Sequence, residues 1–141
     1  MTTALLSLLR GLVLSHSWIV DGALFLEFGA LSPSTLRRRD GSAGNPTGEV
    51  SVCLYGGWSS RDEDGDRPPS ALIGLKLVSG TLLGEPPELD LAFENGARIM
   101  SCSAEGEAPE WRLADRRGPT PVWYAVEDGQ VRAGDGGPQL P

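Results

Sequence analysis

Polar and apolar side chains alternate with a period of two in two separate stretches of this chain. In Ala23–Phe28, Leu24, Leu26 and Phe28 fall on one side, with Phe25 and Glu27 on the other. In Glu88–Phe93, Leu89, Leu91 and Phe93 fall on one side, with Glu88, Asp90 and Ala92 opposite. Successive side chains of a strand point to opposite faces. Each Leu-x-Leu-x-Phe trio therefore predicts a strand buried on one face and solvated on the other.

A second match precedes each trio. Leu9–Leu14 and Leu72–Leu77 both read Leu-x-Gly-Leu-x-Leu. Two ordered matches at nearly constant offset predict a duplicated unit of about three strands; the competing explanation is chance likeness among Leu-rich strands. In the first copy the third strand is Val50, Val52 and Leu54 alternating with Ser51, Cys53 and Tyr55. In the second it is Arg98–Ser103, entered through Glu94-Asn95-Gly96. Asn and Gly both tolerate positive φ, so this pair predicts a hairpin joining Leu89–Phe93 to Arg98–Cys102.

The remaining stretches are less regular. Gly29 to Gly48 lacks sustained periodicity and reads as a mobile surface excursion, and Ser59 to Ser70 reads as a polar loop between the copies. Glu110–Leu113 and Val122–Val126 are further short strands, joined by the turn-rich Asp115–Pro121. One or two helical turns are expected over Thr3–Leu9, capped by Thr2 or Thr3. Residues 1–133 thus read as a single β-rich domain, with pseudo-repeats at about 9–55 and 72–103 and C-terminal strands within 108–133. A Gly/Pro-rich disordered tail is expected over 134–141. The predicted fold is mainly β: two pseudo-repeated three-stranded antiparallel units forming a small sandwich or barrel. Closure into a barrel would remove exposed sheet edges.

Composition agrees with this pattern and adds a charge. A chain of 141 residues suits one domain with its own core, and 19 Gly with 11 Pro suit short strands and turns. The net charge is −7 and the sequence pI about 4.6. Such a chain is repelled by nucleic acid and by anionic membrane surfaces, which leaves a basic protein as the natural partner; acidity that merely keeps the protein soluble is the plainer alternative. The charge is uneven. Residues 1–48 carry Arg10, Arg37, Arg38 and Arg39 against Asp21, Glu27 and Asp40, whereas the remainder carries eight basic and sixteen acidic side chains. Cys53 and Cys102 are too few for a disulfide scaffold and are expected as free buried thiols. Arg10 interrupts the apolar N-terminal run, no basic segment precedes it, and no run reaches the length of a membrane span. A cytoplasmic location is expected.

Candidate chemistry is sparse. Asp62, Asp64 and Asp66 have the spacing of a calcium loop, but Arg67 and Ile73 stand where an EF-hand needs Gly and a bidentate Glu. His16 is the sole histidine, so a multi-histidine metal site is excluded, and no Gly-x-Ser-x-Gly elbow accompanies Ser15 or Ser17. No phosphate-cradling glycine motif is present and Lys76 is the sole lysine. No catalytic residue, metal or cofactor is assigned. The Arg37, Arg38 and Arg39 cluster could grip an acidic group or balance the protein's own acidic loops. Of the four tryptophans, Trp18, Trp111 and Trp123 are expected in the core, and Trp58, in Gly56-Gly57-Trp58-Ser59-Ser60, as an exposed anchor. The expected partner-binding residues are Trp58, Asp62, Glu63, Asp64 and Asp66, together with Arg37, Arg38 and Arg39.

Leu72–Leu77, Leu89–Gly96, Glu110-Trp111-Arg112-Leu113 and the later Trp123 resemble a family of small bacterial domains of unknown function with a duplicated β unit. The first copy matches less well, because Gly29 follows Phe28 directly and the long insertion intervenes. The excess of arginine over the single lysine fits a bacterium with a GC-rich genome. The resemblance implies the fold and no mechanism. Three function classes follow from the residues. The first is a non-enzymatic protein-binding module, most specifically an immunity or antitoxin-like protein capping a basic toxin. The second is a small-ligand carrier with a barrel interior. The third is an enzyme using carboxylates or the Ser15–His16–Ser17 segment.

Overall fold

The computed structural model describes residues 7, 9–104 and 106–135. Among the described residues, eleven strands form two antiparallel sheets that face each other as a sandwich, not a barrel. In chain order they are β1 (Leu14–Val20), β2 (Ala23–Phe28), β3 (Val50–Leu54), β4 (Trp58–Asp62), β5 (Gly65–Asp66), β6 (Leu77–Leu83), β7 (Glu88–Phe93), β8 (Arg98–Ser101), β9 (Trp111–Asp115), β10 (Val122–Glu127) and β11 (Gln130–Asp135). The first sheet runs β1-β2-β3-β9-β10-β11 and the second β5-β4-β8-β7-β6. Pro69–Leu72 forms a 3-10 turn and Ser7 is helical, and among the described residues no helix is long and apolar enough to cross a membrane.

The duplication extends to the hydrogen-bond register. β1 pairs β2 from Leu14↔Phe28 to Val20↔Ala23, with a bulge after Leu14; β6 pairs β7 from Leu77↔Phe93 to Leu83↔Glu88, with a bulge after Leu77. Leu26↔Val52 in the first sheet corresponds to Leu91↔Ile99 in the second. The fourth strand of each unit crosses over. β4 follows β3 in the chain but pairs with β8, and β9 follows β8 but pairs with β3. Each repeat thus completes the other's sheet, which binds the halves into one core. That core holds Leu24, Leu26, Phe28, Val50, Val52 and Leu54 against Leu89, Leu91, Phe93 and Ile99, with Phe28 stacked on Phe93 at 6.4 Å.

The two Leu-x-Gly-Leu-x-Leu motifs are turns that lead into β1 and β6, which corrects their reading as strands. Gly11 and Gly74 both sit at positive φ, 85° and 97°, where a side chain would strain the backbone. The motifs clasp each other. Gly11 N–H donates to Leu77 C=O and Gly74 N–H to Leu14 C=O, each at 2.8 Å, around a Val13↔Lys76 bridge. The hairpin expected at Asn95-Gly96 is present with a different turn: a three-residue loop in which only Gly96 has positive φ, while Asn95 Oδ1 accepts the Ala97 N–H.

Other expectations are revised. Ser59–Ser70 is not one loop, since it contains β5 and the end of β4; pairing with β8 makes this a strand in the absence of apolar alternation. Residues 29–48 fold back as a ribbon held by Ser32↔Thr47 and Arg37↔Ala43 bridges. Gly134 and Asp135 belong to β11, paired with Trp123 and Val122, so the strands run past 133. Residues 136–141 lie outside the described residues, as does the helix expected over Thr3–Leu9, apart from Ser7 and Leu9.

Candidate functional site

Beside β4 the surface is hollowed into a groove of about 490 Å³, lined by Ile19, Trp58, Ser59, Ser60, Asp66, Arg67, Pro68 and Pro69. Its walls follow from local sequence. Ile19 stands near the end of β1 and is 52% exposed. Arg67 N–H donates to Ser60 C=O at 2.9 Å, after which Pro68 and Pro69 end the pairing and lead into the 3-10 turn. Apolar side chains therefore line a groove that also carries a carboxylate, Asp66.

Trp58 is half-buried and packs on the core, which corrects its reading as an exposed anchor. Its indole N–H donates to Gly22 C=O at 2.9 Å, so only part of the ring faces the groove. Of the acidic run, Asp66 lines the groove and Glu63 is exposed at the β4–β5 tip near Gly96. Asp62 and Asp64 are drawn to Arg67, at 2.9 and 3.7 Å. The arginine at the calcium-loop glycine position thus offsets two of the three aspartates. Among the described residues no group of three metal-ligating side chains occurs.

Arg37, Arg38 and Arg39 are exposed on the 29–48 ribbon and are not part of the groove. Among the described residues no ion pair joins them to a carboxylate, although the Arg38 charge is among the influences that lower the Asp40 pKa. Arg38 instead donates to Ala43 C=O at 2.6 Å, closing the ribbon's tip. Ser15 and His16 are likewise engaged in structural contacts. Ser15 Oγ donates to Gly29 C=O at 2.6 Å, and His16 Nε2 meets Asn45 Oδ1 at 2.9 Å while its ring stacks on Trp18.

The alternation pattern missed the outer face of the first sheet. Phe25 and Glu27, expected in solvent, are 8% and 2% exposed. Glu27 accepts hydrogen bonds from Gly48 N–H, at 2.8 Å, and from the Ser51 hydroxyl; Arg116 Nη1 donates to that same Ser51 oxygen at 2.6 Å. Burial pushes the Glu27 carboxyl above its ordinary range, opposed by the Gly48 and Ser51 hydrogen bonds and by the charges of Arg116 and His16. Beside it Trp18, Phe25 and Tyr55 form a chain of ring contacts, at 4.9 and 5.9 Å, with the Arg112 guanidinium 5.5 Å over the Tyr55 ring. Trp18 and Trp123 are half-buried, and only Trp111 is the core tryptophan that was expected of all three. Burial pushes the Cys53 thiol up to about 12, whereas Cys102 is exposed, contrary to the expectation that both thiols are buried.

Comparison with known proteins finds no matching family model, no matching curated protein and no matching solved structure.

Proposed function

We propose that this protein is a non-enzymatic binding module for a basic protein, most specifically an immunity-type protein that caps a basic toxin in the cytoplasm. The observation that carries this reading is the groove beside β4, where Ile19, Trp58 and Pro68 offer apolar contact next to Asp66 and the acidic β4–β5 hairpin. Apolar contact beside exposed carboxylates suits a basic chain carrying apolar residues, because the charges steer the encounter and the apolar area holds it. The net charge of −7 supports the same sign of partner. Arg37, Arg38 and Arg39 are assigned no role at the groove.

The test is affinity capture of the tagged protein from its host lysate at low and high salt, with Asp66→Lys as the comparison. A single basic partner, retained at low salt and lost at high salt or by the variant, is the expected result. Capture that is indifferent to both would remove the charge-based reading.

A further inference from the structure

The two sheets are completed unequally. In the first, β9 is flanked by β10, whose ladder runs from Asp115↔Val122 to Arg112↔Ala125, and β10 by β11. In the second, the counterpart of β9 is β4, and its ladder with β5 has only Asp62↔Gly65 and Arg61↔Asp66. One more bond, from Arg67 N–H to Ser60 C=O, precedes Pro68 and Pro69, which cannot donate to a ladder. The place that Ala125 takes beside Arg112 therefore has no paired strand beside Ser59. The groove lies there.

Two further observations mark this edge as unfinished. Cys102 N–H donates to Gly57 C=O at 2.9 Å, which makes Trp58↔Ser101 a non-hydrogen-bonded pair. In an antiparallel ladder the N–H and C=O of such a residue point away from its partner, so those of Trp58 face the groove side of β4. Ser60, which also lines the groove, is 5% exposed, and its hydroxyl has no hydrogen-bond partner among the described residues. A buried hydroxyl in that condition is stabilised by any polar atom brought to it.

We infer that an extended segment of a basic protein adds as a strand beside Trp58 and Ser59, on the stretch of the β4 edge that β5 and Arg67 leave unpaired. This rests on the binding role proposed above and specifies how the groove is filled. Main-chain bonds to Trp58 give the added strand its register, and inward side chains meet Ile19, Trp58 and Pro68. Basic residues at its two ends reach Asp66 and Asp21, the latter next to the Gly22 carbonyl that holds the Trp58 indole.

The probe is a synthetic peptide that flanks the sequence of Tyr124–Val126 with two lysines at each end. Two analogues carry backbone N-methyl groups at alternate residues, so that in one the blocked amides face β4 and in the other they face solvent. The peptide should bind and slow hydrogen exchange at the Trp58 amide. One analogue should lose at least about tenfold in affinity and the other less than about threefold. No peptide binding, equal binding of both analogues, or binding without protection of Trp58 would overturn strand addition. So would self-association of the free protein that already protects Trp58, which would make a second copy the occupant. The two proposals fail separately. Salt-sensitive capture of a basic partner that the peptide does not displace removes strand addition alone, whereas peptide binding with the expected analogue pattern but no captured basic partner removes the capping role alone.

Discussion

Trp111 and Trp58 hold equivalent places in the two repeats and make the same kind of bond. The indole of Trp111 donates to Pro87 C=O at 3.0 Å across the sandwich, and that of Trp58 donates to Gly22 C=O at 2.9 Å in the opposite sense. Their surroundings differ. Trp111 is 1% exposed, with β10 and β11 beyond its strand, whereas Trp58 is half-buried because β5 ends after two residues. The outer faces differ in the same way. The register that places Glu27 against Ser51 in the first sheet places Ala92 against Arg98 in the second. The ribbon of residues 29–48 supplies the Gly48 N–H to Glu27, where the second repeat has a three-residue turn. The two units share their inward positions and differ at their edges and outer faces.

The largest expected effect separates the two indoles. Trp111→Ala should cost about 3–5 kcal/mol, because it leaves a large cavity in the core. Trp58→Ala should cost about 1–2 kcal/mol, since part of the ring is already in solvent. Urea denaturation of both variants measures the gap, and equal costs would show that the completed edge does not bury Trp111 more effectively. Next is Gly57→Ala. A Cβ at Gly57 would lie 2.3 Å from the carbonyl oxygen of Cys102, the residue whose N–H donates to Gly57 C=O, so it should destabilise by about 1–3 kcal/mol. Gly56→Ala, whose Cβ would meet nothing closer than 3.7 Å, is the control and should cost little.

Much of the scaffold was legible because it rests on inward side chains. The Leu24, Leu26, Phe28 and Leu89, Leu91, Phe93 trios name the core of β2 and β7 directly, and the repeated Leu-x-Gly-Leu-x-Leu motif marks the clasp that joins the halves. β4 was not legible. Its five residues, Trp58–Asp62, carry one apolar side chain, and their conformation is set by pairing with β8, which lies far along the chain. The burial of Glu27 was hidden for a similar reason. Alternation assigns a residue to a face of the sheet but does not tell whether a distant ribbon covers that face. Trp58 and Asp66 at the groove were named from composition; Ile19, Ser60 and the two prolines were not, because the groove exists only where β5 stops.

A smaller effect concerns the outer face of the second sheet. Arg98 pairs with Asp90, whose side chain is 5% exposed while that of Arg98 is 44% exposed. Arg98→Ala should cost about 1–2 kcal/mol, most of it from leaving a desolvated carboxylate without its partner. The Asp90→Asn and Arg98→Ala double variant should recover part of that loss in the same denaturation assay. If the single variant is neutral, the pair is a surface ornament like that of Arg132 with Glu127, which stand 3.9 Å apart with both side chains more than half exposed.

The smallest expected effect is a pH dependence of opposite sign at Glu27 and Asp115. Burial raises the folded-state pKa of Glu27 above its ordinary value, so the folded protein holds that proton to higher pH than the unfolded chain does. Its contribution to stability is fully present below the unfolded pKa and declines as pH rises through the folded one. Glu27→Gln removes the titration and keeps an oxygen to accept from Gly48 N–H, although its amide must share space with the Ser51 hydroxyl and Arg116. The wild type should therefore lose stability relative to Glu27→Gln as pH rises from the acid range toward neutrality, read as the difference in urea midpoints across that range. The change should be modest, because the Gly48 and Ser51 hydrogen bonds and the charges of Arg116 and His16 all favour the ionised form. Asp115 provides the contrast. Its carboxyl is held below the usual range by hydrogen bonds from Arg117, so Asp115→Asn should remove stability that is present at neutral pH and lost on acidification. If both variants shifted the profile in the same direction, burial would not be the force acting on Glu27, and the 29–48 ribbon would not be the cover that distinguishes the first repeat from the second.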